Sequence, residues 1–151
     1  MTQEEKDLLL KDLCARLPYG VKAWYKYFPP INGITSKFVT SIKIADNEVA
    51  LSHKFNKEGY YEPIEEGGEI IIKPYLRPMS SMTEEEQKEF DEFCVIDEDA
   101  WMDKGISGYV NQAEIMSKGV DWLNNHHFDY RGLIKKGLAI EVTEENNPYK
   151  E

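Results

Sequence analysis

The densest group of residues that could carry out chemistry is a short run that holds His126, His127 and Asp129. Two imidazoles and a carboxylate can bind zinc or relay protons. With His53 as a distant further ligand, these residues could serve a metal-assisted hydrolase or nuclease. Adjacent side chains on a helix point about 100° apart, however, so the two histidines are poorly oriented for one metal ion. We therefore expect the run to bind no metal and no cofactor.

The interpretation that we favour for this run is structural. A helical pattern ends just before it, and histidine side chains can donate to the last free carbonyl groups of a helix. Asp129 would then start the next turn or pair with Arg131. On this interpretation the histidines stabilise a helix end, and the hydrolase or nuclease is the alternative.

The first predicted strand carries a second candidate group, in which aromatic and basic residues alternate. Trp24 and Lys26 would lie on one face of the strand and Tyr25 and Tyr27 on the other, because side chains alternate across a strand. One face must join the core, while the other could stack a base or hold a nucleotide or peptide. With two later basic residues added, the candidate residues for a small anionic ligand are Trp24, Tyr25, Lys26, Tyr27, Lys73 and Arg77. The alternative is that these aromatic residues only cover the sheet.

Negative charge is concentrated in one part of the chain. The sequence has 18 Lys and Arg residues against 28 Asp and Glu residues, which gives a net charge of -10. Residues 84–103 contain ten acidic residues and one basic residue. Such a segment is most often a solvated helix face, but it can also contact a basic protein partner, here through Glu85, Glu89 and Asp91. The charge argues against binding of duplex DNA, whose phosphates would be repelled.

The elements that must position these residues follow from capping signals and hydrophobic spacing. Thr2 with Glu5, and Thr83 with Glu86, match the pattern of a capping box, which starts a helix. The predicted elements are a helix over 2–17, a sheet over 20–76, helices over 83–94 and 111–125, and a short strand followed by a frayed tail over 138–151. The strands expected within the sheet are 21–28, 38–44, 48–55 and 69–75, arranged as a meander.

The chain is expected to leave the sheet at Pro74 and Pro78, because proline cannot donate to a ladder of hydrogen bonds. A length of 151 residues is the size of one domain. We therefore expect an α+β domain over residues 1–151. In it, a small twisted antiparallel sheet or partly open barrel is covered by two to three helices.

The composition argues against a membrane protein and favours the cytoplasm. Apolar residues make up 41% of the chain, and no run approaches the roughly eighteen that a bilayer span needs. The acidic amino terminus lacks the basic and apolar regions of a secretory signal. Cys14 and Cys94 lie in apolar helical patterns, which are typical of reduced, buried thiols.

Three segments carry a resemblance to other proteins: LCARLPYGV at 13–21, KPYLRPMSSMTEE at 73–85 and DWLNNHHFDYRGLI at 121–134. Through them the chain resembles a group of uncharacterised small proteins encoded by gut anaerobic bacteria and their phages. The resemblance implies a mobile-element setting, in which small acidic proteins often bind host or defence components.

The motifs of the common enzyme classes are absent from the sequence. It has no nucleophile elbow, no phosphate-binding loop and no glycine pattern for a nucleotide. We therefore predict a non-enzymatic binding or interaction protein of phage or other mobile-element origin, with a protein partner or a small anionic ligand. The alternatives are the metal-assisted hydrolase or nuclease, and a sponge for an anionic nucleotide signal.

Overall fold

A computed structural model describes residues 1–27, 37–45, 48–53, 58, 60–94 and 106–150. Parts of several predictions lie outside the described residues. These are the end of the first strand at residue 28, the end of the third strand at residues 54–55, the acidic stretch 95–103 and the side chain of His53.

Within these ranges the chain forms helices, strands and short helical turns. The helices are α1 (Gln3–Arg16), α2 (Glu84–Phe93) and α3 (Ile106–Asn125). The strands are β1 (Lys22–Tyr25), β2 (Lys37–Ala45), β3 (Glu48–His53), β4 (Glu62–Pro63), β5 (Glu65–Glu66), β6 (Glu69–Ile70), β7 (Ile72–Leu76) and β8 (Ile140–Glu141). Two short 3-10 turns lie at Leu17–Tyr19 and Met79–Ser81.

Both predicted capping boxes are present. The Thr2 hydroxyl accepts a hydrogen bond from Glu5 N at 3.2 Å, and the Glu5 carboxylate accepts one from Thr2 N at 2.8 Å. Thr83 and Glu86 exchange the same two bonds at 3.1 and 2.9 Å at the start of α2. Each box satisfies two backbone donors that a helix start leaves free.

The start predicted for the last helix is wrong. Residues 106–110 are the first turn of α3, whereas the sequence placed that helix at 111–125 and the residues before it in a loop. A glycine at position 108 costs a helix only about 1 kcal/mol, which the remaining residues can offset.

The sheet has six strands in the order β4-β3-β2-β1-β7-β8, and β5 pairs separately with β6. All neighbours are antiparallel except β7 and β8, which are parallel. The predicted α+β class is confirmed, and the sheet is open rather than closed into a barrel over the described ranges. The predicted strand at 69–75 is wrong as one unit: it divides into β6 and β7, and β7 returns to pair with β1 instead of extending a meander.

The prediction that proline ends the ladder is wrong for Pro74. This residue lies inside β7 opposite Ala23 of β1. Pairing of β7 with β8 begins only at Tyr75. Pro74 therefore lies next to one partner strand, and its missing N–H does not interrupt a second ladder.

Buried apolar side chains form two clusters. The larger one lies between α1, the sheet and the segment after residue 132, and includes Leu9, Leu13, Leu51, Leu76 and Leu138. The smaller one joins α2 to α3 and to the turn that follows α3. Its buried members are Trp122, Leu123 and Phe128, with Phe90 packed against them. The turn after α3 thus lies where the two clusters meet.

The prediction of a frayed tail is wrong for the described residues up to 150. The Tyr149 hydroxyl donates to Tyr75 O at 2.9 Å and accepts from Lys22 N at 3.1 Å. Lys22 Nζ also donates to Pro148 O at 2.6 Å. These bonds hold the tail against the ends of β1 and β7.

Two observations bear on the expected compartment. Among the described helices, none combines the length and the apolar character that crossing a membrane requires. Both cysteines are free thiols, but Cys14 is exposed and Cys94 is half-buried. The expectation that both thiols are buried is therefore wrong for Cys14, which lies beside the buried stripe of α1 rather than in it.

Candidate functional site

The candidate site is built around the C-terminal end of α3. Phe128 N donates to Leu123 O at 3.0 Å, and His127 N donates to Asn124 O at 3.1 Å. These two bonds are the pattern of a Schellman motif, whose first residue beyond the cap adopts the left-handed conformation. His127 holds that position with φ 60° and is the only non-glycine residue with positive φ over the described ranges. Glycine is the usual residue there because a side chain costs roughly 1–2 kcal/mol in this conformation.

The imidazole of His127 is buried at this strained position. The residue is only 9% exposed, and its ring stacks on Tyr149 with ring centres 3.8 Å apart. Burial, together with the positive charges of Arg16, Arg77 and Lys22, lowers the pKa of His127 to about 4. The ring is therefore neutral at pH 7. Its Nδ1 atom is buried and has no hydrogen-bond partner in the described part of the chain.

Beside His127 lies a buried ion-pair network that sequence reasoning missed. Asp12 and Arg16 of α1 are both 0% exposed, and Arg16 Nε donates to Asp12 at 2.8 Å. Arg16 Nη2 donates to Phe128 O at 2.6 Å, and Arg131 Nη1 donates to the other Asp12 oxygen at 3.0 Å. The network ties α1 to the turn after α3. A signal was available, because residues 9, 12, 13 and 16 share one face of a helix.

Two buried polar atoms without partners thus occur in one place. Arg16 Nη1 lacks a hydrogen-bond partner over the described residues, as does His127 Nδ1. The two side chains are neighbours, since Arg16 bonds to Phe128, the residue that directly follows His127. Buried polar atoms are almost always satisfied by protein, water or a ligand. Of these two residues only His127 lines the adjacent open groove, and an imidazole can bind an oxygen atom of a water molecule, a carboxylate or a phosphate.

His127 lines an open groove of about 1040 Å³. One wall is the segment after β7, with Arg77 and the hydroxyls of Ser80 and Thr83, and the other is the tail from Glu141 to Lys150. The end of α3 forms the floor. The lining is rich in hydroxyl, amide and imidazole groups, so the groove suits a polar ligand.

The geometry does not assemble the predicted catalytic residues. His126 stacks on Trp122 at 3.9 Å, and its Nδ1 donates to Trp122 O at 2.9 Å. Asp129 accepts hydrogen bonds from Leu133 N and Ile134 N, both at 2.8 Å. His126 therefore contacts α3, and Asp129 starts the following turn, as the structural interpretation predicted.

The predicted pairing of Asp129 with Arg131 is wrong, because Arg131 pairs with Asp12. Over the described ranges, no group of three or more His, Cys, Asp and Glu residues could hold a metal ion. The side chain of His53 lies outside the described residues.

The predicted aromatic strip is divided in the structure. β1 ends at Tyr25, which is buried, while Tyr27 lies in the following turn and is 65% exposed. Trp24 is half-buried and pairs across the sheet with Lys73, so these two share a face. Lys26 forms an ion pair with Glu69. β1 carries only Trp24 and Tyr25 of these four residues, and Lys26 and Tyr27 lie in the turn that follows it, so the predicted alternation along one strand does not extend over all four.

Arg77 belongs to the groove instead of the strip. Its guanidinium makes two hydrogen bonds to Glu86, at 2.7 and 2.9 Å, and lies 4.2 Å from the ring centre of Phe128. The hydrogen bonds from Arg77 lower the pKa of Glu86 to about 2. Arg77 therefore fixes the start of α2 against the turn after α3.

The candidate partner-contacting residues lie on the surface of α2. Glu85, Glu89 and Asp91 are all exposed, and Asp91 accepts a hydrogen bond from Gln87 at 2.8 Å. None of the three takes part in an ion pair within the described ranges. Among the acidic residues of α2, Glu86 is the only one that is half-buried. The carboxylates of Glu85 and Glu89 face solvent on one side of α2, and that of Asp91 faces solvent on another.

No family model, curated protein or solved structure matches the chain. The resemblance to small proteins of gut anaerobes and their phages stays a prediction, and functional inference depends on the geometry described above.

Proposed function

We propose that this chain is a non-enzymatic binding protein that holds a small anionic ligand in the groove beside His127. The observation that carries the proposal is a histidine, with a buried and unpartnered Nδ1, at the one helix-end position where glycine is favoured.

The local free energies argue that His127 does more than stabilise the fold. The left-handed backbone costs roughly 1–2 kcal/mol. A buried polar atom without a partner costs about 1–3 kcal/mol more. Stacking on Tyr149 returns only about 0.5–1.5 kcal/mol. Glycine would avoid both costs, so a ligand that bonds to the imidazole is a physical reason for histidine at this position.

The charge around His127 favours an anion. Arg16, Arg77 and Lys22 all lower its pKa, which means that they create a positive potential at the ring. This potential exists in a chain whose net charge is -10. An anionic oxygen in the groove could accept from an Nδ1–H of the neutral imidazole, while Arg16, which is fully buried and does not line the groove, contributes only its positive charge.

The ligand should be small. Glu141 and Glu144 lie along the groove and are exposed, so an extended polyanion would meet their charge. A phosphate or carboxylate group contacts only the patch near His127, and repulsion from charges beyond about 10 Å is screened. The same argument predicts weak or no binding to duplex DNA at physiological salt.

The test is an NMR titration of the full chain with inorganic phosphate, AMP and a cyclic dinucleotide. We expect one of these anions to shift the imidazole signals of His127 and to raise its pKa, because an anion stabilises the protonated ring. His127→Gly should weaken binding by at least about tenfold, which corresponds to about 1.4 kcal/mol. Glu89→Gln on α2 is the matched control and should bind as the natural chain does. Equal binding by His127→Gly, or no response to any anion, would contradict the proposal.

A second candidate function is contact with a basic protein through α2. It is favoured by the exposed carboxylates of α2, which include Glu85, Glu89 and Asp91. Exposed apolar side chains on α3, Val110 and Met116, would add contact area if they adjoin the same partner. A host or defence component in a mobile-element setting would be such a partner. Co-purification that is lost in the triple lysine variant of these acids, and at high salt, would support this function.

The cytoplasm is the compartment that we propose. Both cysteines are free, and a reducing compartment keeps exposed thiols such as Cys14 in that form.

The hydrolase or nuclease alternative has its own check. Stoichiometric zinc or manganese that survives dialysis and is lost from His126→Gln/His127→Gln would favour the enzyme over the binding protein.

A further inference from the structure

A second pocket, of about 260 Å³, lies at the other end of β1 from the tail. Its polar and aromatic lining is Tyr25, Lys26, Tyr27, Tyr60, Glu62 and Glu66. Ile71 and Ile72, both buried, complete an apolar floor. The pocket therefore combines three phenol rings with two carboxylates around a space that fits a small head group.

The carboxylates give this pocket a negative potential. Burial raises the pKa of Tyr25, and the charge of Glu62 raises it further. The nearby carboxylate of Glu66 raises the pKa of the Tyr27 phenol as well. Both shifts arise because a negative charge already lies close to the phenol. An anionic ligand would be repelled here, in contrast to the groove at His127.

One ammonium group of the chain already uses this aromatic surface. Lys26 Nζ lies 5.7 Å from the ring centre of Tyr27 and forms an ion pair with Glu69 at the pocket edge. An ammonium within about 6 Å of a tyrosine face gains a cation–π attraction. A cation–π contact of the kind that we expect for a bound cation thus already exists at Tyr27.

We propose that this pocket binds an alkylated ammonium group, held between the tyrosine rings and the carboxylates of Glu62 and Glu66. Phenol faces attract a cation and also give its methyl groups an apolar contact. Nearby carboxylates neutralise its charge. An uncharged apolar group of the same shape would fill the space but would gain neither attraction. The inference does not depend on the anion site, which lies at the opposite end of β1.

The probe pair that tests this is choline and its neutral isostere 3,3-dimethylbutan-1-ol, titrated into the full chain and followed by NMR. We expect choline to shift the signals of Tyr27 and Tyr60 and the isostere to bind at least about tenfold more weakly, since a desolvated cation–π contact contributes about 2 kcal/mol. Equal binding of the two compounds would overturn the proposal, and so would no response to choline.

Three variants locate the cation. Tyr27→Leu keeps an apolar side chain but removes the ring, and Glu66→Gln removes one charge from the exposed end of β5. Each should weaken choline binding by about five- to tenfold while leaving the isostere unchanged. Lys26→Gln should strengthen it, because the competing ammonium is removed. Glu114→Gln on α3 is the control with an unchanged affinity, because Glu114 is exposed and lies outside the pocket, and a pattern in which Glu66→Gln matches this control would count against the site.

The source of the ammonium group is distinguished by a peptide that contains trimethyllysine. Tighter binding of the peptide than of choline would assign the site to a modified protein side chain. Tighter binding of choline would assign it to a small molecule or head group. Both results require the cation, and both are independent of the phosphate titration that tests the groove.

Discussion

The rings of His127 and Tyr149 stack with centres 3.8 Å apart and planes 10° from parallel. This contact joins the strained end of α3 to the C-terminal tail. The Tyr149 hydroxyl extends the connection to β7 through Tyr75 O and to β1 through Lys22 N. Three distant parts of the chain therefore meet at one tyrosine, and that tyrosine also lines the proposed anion groove.

Substitutions at Tyr149 should separate its hydrogen bonds from its ring. Tyr149→Phe keeps the stacking but loses two bonds, so we expect it to lower the free energy of unfolding by about 1–2 kcal/mol. Tyr149→Ala also loses the ring and should cost about 3 kcal/mol or more. Urea unfolding followed by tryptophan fluorescence gives both values. A Tyr149→Ala variant as stable as the natural chain would mean that the tail does not dock in solution.

Backbone strain at His127 predicts an unusual order of stability. His127→Gly loses the stacked ring but relieves the left-handed conformation, so its free energy of unfolding should lie within about 1 kcal/mol of the natural chain. His127→Ala loses the ring and keeps the strain, so it should be less stable than the glycine variant by about 1 kcal/mol. Thermal unfolding of the two variants side by side checks the order. The reverse order would show that His127 does not have positive φ in solution.

Local signals in the sequence were enough to predict the start of two helices. Thr2 and Thr83 each lie three residues before a glutamate, and a capping box depends on those residues alone. The role of Asp129 at the start of the turn after α3 was predictable for the same reason, because its partners lie four and five residues away. The α+β class followed from two kinds of segment, one with the two-residue alternation of a strand and one with the spacing of apolar residues in a helix.

The rest depended on contacts between distant residues. Asp12 and Arg16 are charged, so apolar periodicity gives no reason to place them in the interior, where Phe128 O and Arg131 are among their partners. Tyr149 lies in a polar tail and is held by residues more than seventy positions earlier. No pattern within the tail indicates this docking. The candidate site was therefore only half visible in the sequence, as the histidine pair without its cationic neighbours.

Acidification should destabilise the fold in a window set by His127. Its pKa is about 4 in the folded chain and 6.5 when unperturbed, so the unfolded state binds more protons between these values. Its contribution is complete above pH 6.5 and is lost as the pH falls to 4, by an amount on the order of 3 kcal/mol. We expect the urea midpoint of His127→Gln to change less with pH across this window than that of the natural chain. An unchanged slope in that variant would argue that the ring is not buried as a neutral group.

Glu86 supplies a second and separate window. Its pKa is about 2 in the folded chain against 4.5 when unperturbed, chiefly because Arg77 donates to its carboxylate. This contribution is present above pH 4.5 and is lost as the pH falls towards 2. Glu86→Gln should therefore change the pH dependence of the free energy of unfolding only below pH 4.5. Because the two windows overlap by only half a unit, measurements at pH 5.5 and pH 3 assign the loss to one residue or the other.

Removal of Asp12 should be the most damaging single change to the charges of this protein. Asp12→Asn leaves the buried guanidinium of Arg16 without its carboxylate, and breaking such a pair costs about 3–5 kcal/mol. The double change Asp12→Leu/Arg16→Met removes both charges and should recover part of the loss. The exposed pair of Glu114 and Lys118 serves as the control, since its removal should cost under about 0.5 kcal/mol. Chemical unfolding of all three variants measures the differences.

The acidic face of α2 predicts tolerance to charge reversal at all but one position. Glu85, Glu89 and Asp91 are exposed, so replacing all three by lysine should change the free energy of unfolding by less than about 1 kcal/mol. Glu86→Lys should be far worse despite the same change in charge, because it places an ammonium against the Arg77 guanidinium and removes half of the second capping box. Thermal midpoints give the contrast directly. A triple variant that unfolds as easily as Glu86→Lys would show that the outer carboxylates also stabilise the fold, and any basic partner of α2 would then have to compete for them.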